Sequence, residues 1–246
     1  MNQINEQLKA LRLGHAAQAL EQQREQLSTY AELAFEERLS LLLESELLNR
    51  NQTKIQRFKR QAKLRVDAQA SQIIYKEGRG LMRSQMSELL TGSYLHKHQN
   101  ILITGPTGAG KTYIACALSA QACEQQHSVR YYRLSRLLDD LSSGRLDGTY
   151  QKQLLALSKK GLLVLDDWGI EKLTQDHAGH LLELLEDRYQ VSSTMMISQL
   201  PVKEWYNMIG NATVADAVLD RLIHNSHRLE LGGESMRKLA QSDQLE

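Results

Sequence analysis

The sequence contains few of the residues that break or cross-link a chain. Its 246 residues include 2 prolines, 15 glycines and 2 cysteines, and aromatic residues make up 5%. So few prolines and glycines argue against long linkers. The two cysteines, Cys116 and Cys123, lie about two helical turns apart, which is too far for a disulfide, so we expect buried free thiols.

Long apolar runs are also lacking. None approaches the roughly 20 residues that a membrane-spanning helix needs. The first residues do not show the basic and then apolar pattern of a signal peptide. We therefore expect a cytoplasmic protein that makes no contact with a membrane.

A formal net charge of +1 hides an uneven distribution. Residues 1–49 contain four Lys and Arg against eight Asp and Glu, whereas residues 50–83 contain ten against two. Within the basic segment Ile55, Phe58 and Ala62 share one helical stripe, with cations on the other sides. This pattern predicts a basic amphipathic helix, whose cations either bind an anionic partner or form a solvated surface.

Helical spacing dominates the first part of the chain, where we expect one helix over residues 4–25 and a second from Tyr30 to about Val66. Beyond residue 80, strands and helices alternate, which predicts a parallel sheet with helices on both faces. The predicted fold class is therefore α/β, with a helical domain at residues 1–70 and a second domain at residues 71–246. The predicted strands are Asn100–Thr104, Ser128–Arg133, Leu162–Asp166 and Thr194–Ser198.

Residues 105–112 read GPTGAGKT and match the phosphate-loop pattern G-x-x-x-x-G-K-[ST] at every required position. An apolar strand precedes the loop and an apolar helix follows it, as the motif requires. Lys111 would reach the β and γ phosphates of a nucleoside triphosphate, and the Thr112 hydroxyl would bind Mg²⁺. The predicted nucleotide-binding residues are Gly105, Pro106, Thr107, Gly108, Ala109, Gly110, Lys111, Thr112 and Tyr113.

A second candidate element follows 55 residues after Lys111, where the apolar run GLLVL ends in Asp166 and Asp167. We expect Asp166 to hold Mg²⁺ with Thr112, and Asp167 to polarise the attacking water. Since ligands bind beyond the carboxyl ends of parallel strands, Ser198 or Gln199 can orient the same water. Either polar residue can equally be an ordinary strand end.

These motifs, taken together, resemble the IstB-like ATP-binding proteins, which are AAA+ helper ATPases of insertion-sequence transposition related to the bacterial helicase loaders. Besides the phosphate loop, the resemblance rests on four segments and covers most of the chain. They are LKALRLGHAAQAL, LLVLDDWGI, EDRYQVSSTMMISQLPVKEW and DAVLDRLIHNSHRLELGGESMRK.

The resemblance implies a P-loop AAA+ core and roles for further residues. Arg221 corresponds to the arginine finger that enters the ATP site of a neighbouring subunit, and Arg237 to a second nucleotide-sensing arginine. Asp167 stands where most AAA+ proteins carry Glu. The shorter side chain predicts slow ATP hydrolysis that depends on DNA, on assembly or on the transposase.

The resemblance also implies partners: double-stranded DNA, the transposase of the same element, and further copies of the chain assembled around or along DNA. Arg79 and Arg83 can extend the surface that binds DNA. Two alternatives stay open, a replicative helicase loader and a nucleotide-gated DNA scaffold that does not hydrolyse ATP. The candidate DNA-binding residues are Lys54, Arg57, Lys59, Arg60, Lys63 and Arg65.

Overall fold

A computed structural model describes residues 3–233 and 235–236 of the chain. The chain forms two compact units, Met1–Arg57 and Phe58–Glu246. The predicted boundary near residue 70 separates a helical domain from an ATPase domain by function. The two structural units do not test this boundary, and it stays a prediction.

The first unit is built from helices α1 (Gln3–Ala10), α2 (Gly14–Glu25), α3 (Leu27–Tyr30) and the first part of α4 (Phe35–Ala62). The prediction of one helix over residues 4–25 was wrong, because Arg12 takes a left-handed conformation with φ of 60° and ends α1. Buried Glu46 of α4 accepts the backbone N–H groups of His15 and Ala16, at the start of α2. A carboxylate at a helix N-terminus stabilises that helix.

Helix α4 is shorter at both ends than the predicted Tyr30–Val66. Its start is fixed by Glu37, whose carboxylate accepts the N–H of Ala34 at 2.8 Å. It ends at Ala62 because Lys63 has a φ of 51°, which is outside the helical region. Lys63 and Arg65 therefore follow the helix rather than belong to it.

The second unit is organised around a five-stranded sheet in which every pair of neighbours is parallel. The strand order is β2-β3-β4-β1-β5, which confirms the predicted parallel α/β fold. Strand β5 was not predicted, because SHRLE is a half-exposed edge strand and not an apolar run. The strands are β1 (Asn100–Thr104), β2 (Val129–Arg133), β3 (Leu162–Trp168), β4 (Ser193–Ser198) and β5 (Ser226–Glu230).

Alternate residues of the strands face two separate apolar clusters. Ile101 and Ile103 of β1 point to one cluster, and Leu102 between them points to the other, as the two-residue period of a strand requires. Short 3₁₀ turns lie at Ala70–Gln72 and Val202–Glu204. The helices are α5 (Arg83–Leu90), α6 (Ser93–His96), α7 (Lys111–Glu124), α8 (Leu134–Asp147), α9 (Tyr150–Ser158), α10 (Gln175–Arg188), α11 (Trp205–Ile209) and α12 (Ala212–Ile223).

The two cysteines are free and buried on α7, as predicted. Burial raises the pKa of the Cys123 thiol to about 11, so this group stays uncharged. Among the described helices, none has the length and apolar content needed to cross a bilayer.

Arg188, at the end of α10, is the most buried cation of the second unit, with 1% of its surface exposed. Its guanidinium donates to the carbonyl oxygens of Leu157 (2.7 Å) and Lys160 (2.9 Å) and to the Thr194 hydroxyl (3.0 Å). It also donates to the Ser193 carbonyl. One side chain therefore satisfies backbone groups from the end of α9 and the start of β4.

We expect Arg188→Ala to lower the free energy of unfolding by about 2–4 kcal/mol, because several buried acceptors would lose their donor at once. Urea denaturation of the protein, followed by a spectroscopic signal from the second unit, measures this loss. As a control, Arg145→Ala removes an exposed ion pair with Glu183, and we expect a cost of about 1 kcal/mol or less. Equal costs for the two variants would contradict the structural role of Arg188.

Candidate nucleotide-binding site

The loop between β1 and α7 has the backbone of an anion-binding site. Gly105, Gly108 and Gly110 have φ values of 142°, 85° and 86°, which side-chain-bearing residues rarely adopt. Such conformations turn successive N–H groups towards one point, and α7 begins there with its positive end. The loop can therefore bind phosphate through its backbone.

All three glycines also lie where other segments pack closely on the loop. A Cβ atom on Gly105 would lie 2.2 Å from the carbonyl oxygen of Leu231, and one on Gly110 would lie 2.6 Å from Arg79 Nη2. The N–H of Met236 also donates to the Gly108 carbonyl. The loop is thus fixed from behind by residues distant from it in sequence.

Lys111 is folded back onto the loop. Its Nζ donates to the carbonyl oxygens of Gly105 (2.8 Å) and Pro106 (2.9 Å). Burial lowers the pKa of the ammonium group, and the charges of Asp166 and Asp167 oppose that effect. A phosphate bound in the loop would supply the negative charge that this buried cation needs.

Asp166 connects the phosphate loop to the centre of the sheet. It is 2% exposed, and its Oδ2 accepts hydrogen bonds from Thr112 Oγ1 at 2.9 Å and from the Tyr131 hydroxyl at 2.5 Å. Burial raises the pKa of Tyr131, and its bond to Asp166 adds to the rise, so the phenol keeps its proton. The two predicted metal-binding residues, Thr112 and Asp166, are therefore in direct contact.

Asp167 lies at an irregular point of β3. Between Leu165 and Trp168 the register with β4 shifts by one residue, and Asp167 has a φ of 67°. This bulge turns the Asp167 carboxylate towards two cations. Arg133 Nε lies 3.3 Å and Arg65 Nη1 lies 3.6 Å from its Oδ2.

Gln199 and Ser198 follow different paths at the end of β4. Gln199 Oε1 accepts a hydrogen bond from the Thr107 hydroxyl at 2.8 Å, so this side chain reaches the phosphate loop. The buried Ser198 hydroxyl donates to the Trp168 carbonyl at 2.9 Å and accepts the N–H of Leu200. Ser198 thus has structural bonds, and Gln199 is the residue that the fold brings to the site.

Arg221 lies far from this site in the folded chain. Its carbonyl accepts a bond from Asn100, the first residue of β1, whereas the phosphate loop follows the last residue of that strand. At about 3.3 Å per residue, the strand separates the two by roughly 15 Å. The Arg221 guanidinium is paired with Glu186 at 2.7 Å. Arg237 is outside the described residues.

Other predicted residues are placed as follows. Tyr113 donates its hydroxyl to the Gln72 side chain at 2.9 Å. Lys59 forms an ion pair with Glu124 at 2.5 Å, and Arg65 faces the two aspartates. The suggestion that Arg79 belongs to a DNA-binding surface was wrong, because its side chain is buried beneath the loop and donates to the Ala109 carbonyl.

Sequence reasoning missed three residues of the site: Arg79, Tyr131 and Arg133. Arg133 ends β2 at the same sheet edge as the phosphate loop, so the rule on strand ends could have found it. Tyr131 looks like an ordinary buried strand residue. Arg79 comes close to the loop through a turn that no local pattern predicts.

A scan of protein families finds one whose model matches residues 6–244, described as IstB-like ATP binding protein. The chain belongs to this family. An insertion sequence ATP-binding protein of Sinorhizobium fredii is 45% identical over 207 residues, covering 84% of each chain. An IS21 ATP-binding protein of Pseudomonas aeruginosa is 30% identical over 237 residues, covering 96% of this chain and 89% of the relative.

Solved structures share the fold of this family member. DnaI superposes with a TM-score of 0.58 at 19% identity, covering 68% of this chain and 92% of that chain. DnaA from Aquifex aeolicus, bound to AMPPCP, superposes with a TM-score of 0.61 at 18% identity, covering 74% and 56%. At such identity the likeness concerns the fold alone.

The side chains at the site suit Mg²⁺ carried by a nucleotide. In the described part of the chain, no group of three or more His, Cys, Asp or Glu residues could hold a metal ion. Thr112 and Asp166 supply one hydroxyl and one carboxylate. Mg²⁺ is commonly held by so few protein oxygens together with phosphates and waters.

We expect Gly105→Ala to weaken the binding of Mg²⁺–ATP by at least about tenfold, because its Cβ would displace the loop or the Leu231 backbone. Isothermal titration calorimetry measures the affinity. The matched control is Gly179→Ala, at a helical position where a Cβ meets nothing within 4 Å. Unchanged affinity in Gly105→Ala would show that the close contact does not shape the loop.

Proposed function

We propose that this protein is an ATP-dependent, DNA-binding ATPase that assembles on target DNA and recruits and stimulates the transposase of its insertion sequence. The observation that supports it best is the contact between Thr112 of the phosphate loop and Asp166. That contact gives a site for Mg²⁺–ATP, and relatives with similar sequences are named for insertion sequences. The cytoplasm is the proposed location.

Different residues of the site would bind the nucleotide and hydrolyse it. The loop amides and Lys111 would hold the β and γ phosphates, while Thr112 and Asp166 would hold Mg²⁺, which neutralises charge on the leaving phosphates. Asp167 would polarise the attacking water, and Gln199 would orient it beside the loop. Since Asp167 is paired with two arginines, hydrolysis is expected to be slow until these contacts change.

The position of Arg221 supports the proposed assembly. An arginine at the amino ends of the strands, opposite the phosphate loop, cannot act on the ATP of its own subunit, but it can act on that of a neighbour. Its ion pair with Glu186 is half-exposed and can be exchanged for a phosphate. A head-to-tail contact of this kind repeats from subunit to subunit, which suits assembly around or along DNA.

DNA binding is proposed for the cations at the end of α4 and just after it. Arg60 and Lys63 line an open groove of about 620 Å³ between this segment and α7. Cations clustered in this way bind the DNA backbone without regard to sequence and with strong dependence on salt. Lys54, Arg57, Lys59 and Arg65 complete the proposed set.

The function is tested with Lys111→Ala in two assays. We expect this variant to lose ATP-dependent assembly on duplex DNA, seen by electron microscopy, and stimulation of strand transfer by the purified transposase of the same element. The reason is that assembly requires a bound triphosphate, which Lys111 anchors. Lys152→Ala, on the exposed side of α9, is the matched control and should behave as the wild type.

Assemblies formed by Lys111→Ala in the presence of ATP would show that nucleotide does not drive assembly. Wild-type assemblies that leave transposase activity unchanged, but load a replicative helicase onto DNA, would instead favour the helicase loader.

The role of Arg221 is tested by mixing two variants. We expect Arg221→Ala and Asp167→Asn each to lose DNA-stimulated phosphate release by about 10³-fold or more. A mixture of equal parts should recover about a quarter of the wild-type rate. Two variants can pair at an interface in four ways, and only one of these joins an unchanged Asp167 to an unchanged Arg221. A continuous phosphate-release assay gives the rates.

Absence of recovery in the mixture would contradict action between subunits. If wild type and Asp167→Asn released phosphate at the same background rate with DNA present, the protein would be a nucleotide-gated scaffold and not an ATPase.

A further inference from the structure

Arg65 connects two parts of the molecule that the proposed function treats separately. It belongs to the basic segment, yet its guanidinium contacts both carboxylates of the site. Its Nη1 lies 3.7 Å from Asp166 Oδ2 and 3.6 Å from Asp167 Oδ2. One side chain is therefore available to the nucleotide site and to the surface that is proposed to bind DNA.

Arg65 lies against the carboxylate that is proposed to hold Mg²⁺. Asp166 Oδ2 already accepts bonds from the hydroxyl groups of Thr112 and Tyr131, and Arg65 lies against the same oxygen. A divalent cation beside Thr112 and Asp166 would repel a guanidinium at this distance. Arg65 and Mg²⁺ therefore compete for one carboxylate.

Arg65 can leave this position without any change in the fold. The chain on either side of it is anchored, since Ala62 and Ala68 are buried. The side chain itself is 38% exposed. The Asp167 carboxylate keeps Arg133 as a partner at 3.3 Å when Arg65 withdraws. Rotation of one side chain is sufficient.

We propose that Arg65 is a cationic gate that covers the two carboxylates while Mg²⁺–ATP is absent and moves to a DNA phosphate when Mg²⁺–ATP binds. This inference rests on the proposed function and adds a regulation to the same site. Arg60 and Lys63, which precede Arg65 by five and two residues, line the groove that is proposed to bind DNA. DNA binding and Mg²⁺–ATP binding are then linked. DNA must raise the affinity for Mg²⁺–ATP by the same factor by which Mg²⁺–ATP raises the affinity for DNA.

The first test measures the Mg²⁺ concentration that gives half-saturation with a slowly hydrolysed ATP analogue, with and without duplex DNA. We expect DNA to lower this concentration about tenfold in the wild type, within the usual range of such coupling. In Arg65→Ala the DNA-free value should already be low, and DNA should lower it no further. Arg65→Lys, which keeps a cation, should retain part of the DNA effect.

The control for this titration is Arg228→Ala, which removes an exposed arginine from β5, an edge strand that is not next to β3. It should follow the wild type. A higher half-saturating Mg²⁺ concentration in Arg65→Ala would identify Arg65 as a phosphate ligand and overturn the gate.

The second test measures DNA affinity against salt concentration by fluorescence anisotropy. In the wild type we expect the slope of log K against log salt to steepen by about one unit when Mg²⁺ and the analogue are added, because one more phosphate is neutralised. Arg65→Ala should show the same slope with and without the analogue. An unchanged slope in the wild type would overturn the transfer of Arg65 to DNA.

Failure of the proposed function gives a different result. A wild-type protein that binds no DNA would contradict both that function and the transfer of Arg65. The DNA-free Mg²⁺ titration of Arg65→Ala would still decide whether Arg65 covers the carboxylates.

Discussion

A hydrogen bond between Thr112 and Asp166 joins the two elements on which the site depends. Thr112 is the last residue of the phosphate-loop motif and lies in the first turn of α7, and Asp166 ends the apolar part of β3. Parallel strands are required for this contact, because they bring the carboxyl ends of β1 and β3 to the same edge of the sheet. The proposed metal site and the water-polarising Asp167 follow from that single junction.

Charged side chains at this edge of the sheet are paired with groups from several segments. A buried lysine is folded onto carbonyl oxygens, and two carboxylates are held by arginines from separate segments. Each of these charged groups has a partner within the chain. Under the proposed function, phosphates and a metal ion would exchange one set of ion pairs for another, at a cost set by how well the buried charges are paired.

Local patterns predicted the secondary structure wherever burial and periodicity agreed. The four apolar strands were found, and β5 was missed because an edge strand with alternating polar residues has little apolar signal. The early helices were predicted too long, since Arg12 and Lys63 adopt left-handed conformations that no residue type at those positions demands. Helix ends of this kind are decided by packing, so helix propensities do not predict them.

From the sequence alone came the phosphate loop, the acidic strand end and the alternating order of elements, because each is encoded by neighbouring residues whose spacing reflects a repeating backbone geometry. Only the tertiary structure showed that Arg79 lies beneath the loop and that Tyr131 bonds to Asp166. It also placed Arg65 on the carboxylates and Arg221 at the opposite sheet edge. These are contacts between residues far apart in the chain, and the distance between two such side chains is fixed only when the sheet and its crossovers have formed.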